Sequence, residues 1–488
     1  MTTLLDFIQN KTPAPPTPIE PVELALPLMD FQRETLNHIL RGEPHTLAAL
    51  QMGLGKSPIG IATIASAHAA GETPALVVCP ATLVFNWERE FAKFAPHLTV
   101  QILRGEKPYG LGSADVCVIS EAVLSSWQDH LVNRFKVLVV DESHMFKNPK
   151  ASRTKALVNI AESVTRLRLL LTGTPNPNGT TEEFVGQFNV LGSEAWRDIK
   201  GKGNFYTKFC PKVDSWGKRG KANLGEFNSL LTDSFMVRML RSQVLPGFRD
   251  GDENQITKGR DAILFNCSDK YAQDYKRAEN DLRSFLAGEG RDTRGYDKAE
   301  ALVTLNVMRQ LAGMTKLNPT INHAKSVLDN VAGGVFVVAE HSEVLDRLAL
   351  GLSAYNPVTI SGRTSPKEKE RAVDAFTTGK TRVLVGQVKA AGVGLTLHGD
   401  GLNHRVVVAQ LPWSPADLLQ AEDRLYRHGQ THDVDVEVCL SAIDGMWTID
   451  ERLWSLLESK QFDTEEILDG EGNYLIYDPT DNILDGYR

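Results

Sequence analysis

Two short segments of this chain hold the residue types that phosphate chemistry requires. The first is Leu50-Gln51-Met52-Gly53-Leu54-Gly55-Lys56-Ser57. A glycine-rich turn that opens a helix points backbone N–H groups at an anion, and the helix dipole adds to the attraction. Met52, Gly53, Leu54 and Gly55 would form that cradle, Lys56 would reach the β- and γ-phosphates, and the Ser57 hydroxyl would ligate Mg2+. The strict loop pattern opens on glycine, where this chain has Leu50. The second segment is the apolar run Val137-Leu138-Val139-Val140, ending in Asp141-Glu142-Ser143-His144. Acids at the carboxyl end of a strand in an open α/β sheet lie in the crevice where ligands bind. Asp141 would hold the metal, through water if the ion keeps its shell, and Glu142 would orient and deprotonate an attacking water. The pair of segments describes a site for a polyphosphate with Mg2+.

Such a site needs a sheet to carry it, and the apolar runs supply one. Short uninterrupted runs recur at 75–79, 115–119, 137–140 and 168–171, and again at 335–339, 357–360, 382–385 and 405–409. Amphipathic stretches such as 85–94 lie between them. Continuous apolar strands belong to parallel sheets covered on both faces, so the expected class is doubly wound α/β. Charged, helical patterns dominate between about 200 and 325. The expected organisation is therefore two lobes, 28–225 and 326–460, around a helical insertion over 226–325.

Both ends read differently. Residues 11–27 carry six of the 23 prolines and predict a tether outside any core, giving a segment 1–27. Ahead of the prolines, Leu4, Leu5, Phe7 and Ile8 form a small apolar cluster that could dock on a protein partner. Residues 461–488 hold eight acids against one arginine, the pattern of a solubilising tail or, as the sharper reading, of a strip that mimics DNA.

Composition narrows the class. Hydrophobic residues make up 42% and charged residues 23%, as in ordinary globular chains. No run approaches the length of a bilayer span, and the N-terminus lacks a signal-peptide layout. The five cysteines are scattered singly, which argues against a disulfide framework, a zinc knuckle and secretion. A soluble, cytoplasmic, monomeric protein with no membrane partner is expected. The net charge of −8 comes mostly from the acidic tail, so it leaves room for a basic groove that binds nucleic acid.

Five segments taken in order extend these readings. Leu28-Met29-Asp30-Phe31-Gln32-Arg33, the Met52–Ser57 loop, Asp141–His144, Leu171-Thr172-Gly173-Thr174-Pro175 and Gln420-Ala421-Glu422-Asp423-Arg424-Leu425-Tyr426-Arg427-His428-Gly429-Gln430 resemble the motifs of superfamily-two, Swi/Snf-type DNA translocases. Residues 223–241 look like the annealing-helicase (HARP-like) branch. The resemblance implies two RecA-like lobes over about 28–460 and an ATPase that uses double-stranded or forked DNA. It implies that Gln32 reads the adenine edge, that Thr172, Gly173 and Thr174 couple nucleotide to DNA, and that Gly392 and Gly394 line the cleft from the second lobe. Arg424 and Arg427 would be arginine fingers, and their spacing predicts that both lie on one face of a helix. Alternatives remain open: a strand-separating helicase, or a binding module in which ATP only gates affinity for nucleic acid.

The resemblance has gaps. Leu50-Gln51 replaces an Asp-Glu pair, Gln387 stands where a small hydroxyl is usual, and Lys389 replaces an arginine, keeping charge but losing the planar two-pronged hydrogen bonding. Candidate DNA contacts are Lys389, Trp413 and the basic stretch 200–221, where Lys218, Arg219 and Lys221 are interleaved with Phe205, Tyr206, Phe209 and Trp216.

Overall fold

In the computed structural model, residues 18–41, 45–201, 204–211, 220, 222–249, 251–252, 255–287, 296–391, 397 and 401–469 are described. Seven strands build the first sheet: β1 (His45–Leu50), β2 (Ala75–Cys79), β3 (Val100–Leu103), β4 (Val116–Ser120), β5 (Val137–Asp141), β6 (Leu167–Leu171) and β7 (Met236–Met239). Six build the second: β8 (Lys258–Asn266), β9 (Val335–Ala339), β10 (Val358–Ile360), β11 (Val383–Gln387), β12 (Arg405–Val408) and β13 (Val434–Ala442). The orders are β3-β4-β2-β5-β6-β1-β7 and β10-β11-β9-β12-β13-β8, and every pairing is parallel. The eight apolar runs are all strands. Residues of β2, β4, β5, β6 and β9 are buried throughout, as strands with helices on both faces must be.

Several expectations need correction. The stretch 226–325 is not simply a helical insertion. It contributes an edge strand to each lobe, β7 beside β1 and β8 beside β13, and only the helices Lys270–Ala287 and Tyr296–Thr315 form the expected hairpin. β8 hides from a search for apolar runs because its outer edge is exposed and its residues alternate.

The proline-rich segment is not wholly a tether. Ile19 is buried against the first lobe, Val22 N donates to Ser66 Oγ at 3.2 Å, and Ala25 N donates to Phe94 O at 2.9 Å. Prolines forbid regular pairing but leave the neighbouring apolar side chains free to pack. Leu4, Leu5, Phe7 and Ile8 lie outside the described residues.

The acidic segment does not begin as a tail either. Helix Ile449–Asp469 leaves the second lobe and ends on the first, where Ile467 and Leu468 enter the core. Asn228 Nδ2 donates to the Leu468 carbonyl at 2.8 Å, and Arg238 pairs with Asp469 at 3.1 Å. Glu471, Asp478, Asp481 and Asp485 lie outside the described residues. Among those described, no helix is long and apolar enough to cross a membrane.

Candidate nucleotide site between the lobes

The phosphate loop links β1 to helix Lys56–Ala69, whose N-terminus faces the crevice. Gly55 adopts φ 68°, and a Cβ there would stand 2.4 Å from Gln32 Nε2. Only glycine fits that approach. Gln32 is buried; its Nε2 donates to the Leu54 carbonyl at 3.1 Å and its Oε1 accepts from Met29 N at 2.9 Å. The side chain expected to read adenine thus braces the loop. Met52 and Leu54 are buried, whereas Gly53, Gly55, Lys56 and Ser57 are half-exposed at the crevice.

Lys56 Nζ has one weak contact, the Leu50 carbonyl at 3.4 Å. Burial lowers its pKa, while Glu142 and Asp141 oppose that shift. Asp141, the last residue of β5, accepts from Trp87 Nε1 at 2.9 Å and from Glu142 N at 2.9 Å. Burial and then the Glu142 charge raise its pKa to about 6. Glu142 sits in the left-handed region at φ 50°, a conformation that costs a non-glycine residue of order 1–3 kcal/mol and clusters at functional sites. Its Oε2 is buried, with His144 Nδ1 3.3 Å away. Burial opposes the Glu142 carboxylate, but His144, Lys56 and Arg424 outweigh it and draw its pKa to about 2.

The segment Thr172–Thr174 touches both halves of this site. Thr172 Oγ1 lies 3.0 Å from His144 Nδ1 and accepts from Thr174 N at 3.1 Å. A Cβ on Gly173 would fall 2.9 Å from Met52 Cγ and 3.3 Å from Met52 N, so this strand end is pressed against the phosphate loop.

Arg424 and Arg427 reach the site, but not from a helix. Helix Pro415–Glu422 ends at the cap residue Asp423, and both arginines occupy the turns that follow. Their common direction comes from the turn, which Gly429 closes at φ 95°, rather than from helical periodicity. Arg427 lies along the loop, its Cγ and Nε 3.8 Å from where a Cβ on Gly53 would be. Arg424 is 8% exposed; burial, and behind it the Arg427 charge, lower its pKa to about 9, while Glu142 opposes the shift.

The remaining sequence candidates fare unevenly. Lys389 is exposed on the short helix Val388–Ala391, and Trp413 is half-buried against the second lobe under the guanidinium of Arg309, 4.5 Å from its ring centroid. Phe205 and Phe209 are core residues packed around Phe227, which corrects their reading as stacking platforms. Helices Glu194–Gly201 and Asn204–Phe209 bring them inward because their apolar residues share a face. Gly392, Gly394, Trp216, Lys218, Arg219 and Lys221 lie outside the described residues.

Three participants escaped the sequence reading. Trp87 looked like one more apolar position of an amphipathic helix, His144 was named only as part of its tetrapeptide, and Arg241 sat in a segment quoted for resemblance alone. Gln51 gains a role with Arg241: its Oε1 accepts from Arg241 N at 2.7 Å.

Residues 31–325 match the model of the SNF2-related domain, and residues 321–429 match that of the helicase conserved C-terminal domain. This chain belongs to the SNF2-related family. Among the relatives of this SNF2-related chain is the SWI/SNF-related matrix-associated actin-dependent regulator of chromatin subfamily A-like protein 1 of Xenopus laevis. It is 28% identical over 440 residues, covering 89% of this chain and 43% of that protein. The human DNA annealing helicase and endonuclease ZRANB3 is 29% identical over 485 residues, covering 96% and 42%. The chain thus spans less than half the length of these relatives. A solved structure, the Sulfolobus solfataricus SWI2/SNF2 ATPase core in complex with dsDNA, is 23% identical, covers 92% of this chain and 95% of that one, and has a TM-score of 0.43.

Proposed function

We propose that this SNF2-related chain hydrolyses ATP between its lobes and uses the cycle to move along double-stranded DNA, remodelling or re-annealing it. The observation that carries this reading is the convergence of both lobes on one point: Lys56 and Glu142 from the first, Arg424 and Arg427 from the second. A site that only gates affinity needs neither a carboxylate base nor paired guanidinium groups. The residues present also suit a nucleotide with a divalent cation, since a glycine cradle, an almost uncommitted lysine and a Glu142 carboxylate held only by the His144 imidazole at 3.3 Å surround one crevice. Ser57 and Asp141 would hold Mg2+, which when bound neutralises phosphate charge.

The chain's own work follows. The loop and Lys56 hold the polyphosphate, Glu142 Oε2 orients a water and takes its proton, and the fingers stabilise charge on the transferring phosphoryl group. Thr172 is tied to His144, and its neighbour Gly173 is pressed against Met52, which supports the reading of Thr172, Gly173 and Thr174 as the coupling element. The name of the annealing-helicase relative supports DNA as the partner. Lys389, Trp413, Lys218, Arg219 and Lys221 are the proposed contacts.

The test is ATP turnover without nucleic acid and with single-stranded, double-stranded and forked DNA, alongside third-strand displacement from a triplex. Strong stimulation by duplex or forked DNA, with triplex displacement and no unwinding of a tailed duplex, is expected. Efficient unwinding with single strands as the better activator would replace translocation by strand separation.

A further inference from the structure

The first lobe's Arg241 holds a position that neither the loop nor the finger segment explains alone. It opens the short helix Arg241–Val244 directly after β7 and is only 2% exposed. One nitrogen, Nη2, lies 2.5 Å from the Met52 carbonyl of the phosphate loop and 3.1 Å from Asp423 Oδ2. Asp423 immediately precedes Arg424. The same guanidinium stands 4.4 Å from the ring centroid of Tyr426, which immediately precedes Arg427. Arg241 therefore touches the finger segment beside each finger, and it touches the loop those fingers must face.

The second lobe holds the same segment from behind. Lys258 and Arg260, both on β8, pair with the fully buried Glu422 at 2.7 Å each, and Lys258 also lies 3.4 Å from Asp423. These contacts survive any separation of the lobes, because β8 and the finger segment belong to one body. The Arg241–Asp423 pair does not survive it. Moreover, Arg241 Nε and Nη1 are buried with no hydrogen-bond partner. Buried unsatisfied donors are costly and uncommon, so this guanidinium is not placed to satisfy itself locally.

We propose that Arg241 is a positioning residue, a latch that seats the finger segment on the phosphate loop and so sets when Arg424 and Arg427 face the nucleotide. This rests on the hydrolytic reading above for its kinetic consequence, but not for its geometry. Catalytic groups displaced by about 1 Å can lose on the order of a hundredfold in rate, so the latch acts on turnover more than on binding. ATP affinity stays mainly with Lys56, the loop amides and Gln32, and the Arg241 guanidinium reaches the loop only at the Met52 carbonyl. Lysine would keep the charge but not the planar face that lies over Tyr426.

The experiment separates geometry from chemistry. The described cysteines are all buried, so spin labels can be directed to Glu88→Cys on the first lobe and Lys367→Cys on the second, both exposed positions. In the full chain with an ATP analogue, one short interlobe distance is expected. Arg241→Gln and Asp423→Asn should each broaden it, and the double variant should look like either single one. In parallel, each single variant should lose about tenfold to a hundredfold in kcat with ATP affinity within about threefold of the parent, and the double variant should lose no more. Arg241→Lys should fall between. A merely structural role would lower the melting temperature and the active fraction while leaving kcat per active site and the distance unchanged.

Unchanged distances and kcat in Arg241→Gln, or losses that multiply in the double variant, would overturn the latch. Should Arg241→Gln fail to fold, Asp423→Asn decides, because Lys258 and Arg260 still hold Glu422. A parent chain that closes to the short distance yet never hydrolyses ATP would sink the hydrolytic reading and leave the latch standing.

Discussion

His144 Nδ1 and Thr172 Oγ1 share a hydrogen bond of 3.0 Å, which joins the turn carrying Glu142 to the segment that leaves β6. The same nitrogen is 3.3 Å from Glu142 Oε2, so one imidazole stands between the proposed general base and the proposed coupling segment. If the segment reports DNA to the nucleotide site, His144→Ala should lower the ratio of DNA-stimulated to basal turnover by about fivefold or more, the lower end of measured coupling between sites. Paired ATPase assays with and without duplex DNA read that ratio directly.

Glu142→Gln should bind ATP and turn it over slowly, since positioned general bases contribute about 10²–10⁴-fold. Lys56→Ala should lose binding and turnover together. Single-turnover assays beside equilibrium binding of a fluorescent analogue separate the two effects, and near-native turnover by Glu142→Gln would remove the assigned base.

Arg424→Ala should reduce kcat by about 10³-fold or more while changing ATP binding little, as for fingers in related phosphoryl transfers. Its side chain comes from the second lobe and faces Glu142 on the first. A comparable loss in binding would mean that Arg424 acts mainly on the ground state.

Gly55→Ala forces a Cβ onto Gln32 Nε2, 2.4 Å away, at φ 68°. The brace must move, and left-handed backbone costs a non-glycine residue about 1–2 kcal/mol. An ATP affinity weakened by about tenfold is expected in isothermal titration, equivalent to about 1.4 kcal/mol.

The C-terminal helix should stabilise the first lobe. Ile467 is fully buried in that lobe's core, so Ile467→Ala should cost about 2–5 kcal/mol, read as a lower denaturant midpoint. A cost below about 0.5 kcal/mol would place the side chain on the surface instead.

The sequence by itself determined what depends on neighbours along the chain. Apolar runs such as 75–79 and 335–339 pointed to buried parallel strands, and Gly53, Gly55 and Lys56 before a helix pointed to an anion cradle, because both signals rest on local backbone geometry. The acid pair was equally legible, since the strand that ends at Asp141 announces its own carboxyl end. Tertiary structure decided what depends on contacts between segments far apart. Nothing local shows that β8 pairs with β13 across a separation such as Lys258 to Val434, or that Ile467 belongs to the first lobe's core. The spacing of Arg424 and Arg427 fits a helix as well as a turn, and the structure ends the helix at Glu422, with both arginines in the turns beyond it. Trp87 and Arg241 were illegible for the same reason: an indole or guanidinium acquires its role from the partner it reaches, here Asp141 across 54 residues and Met52 across 189.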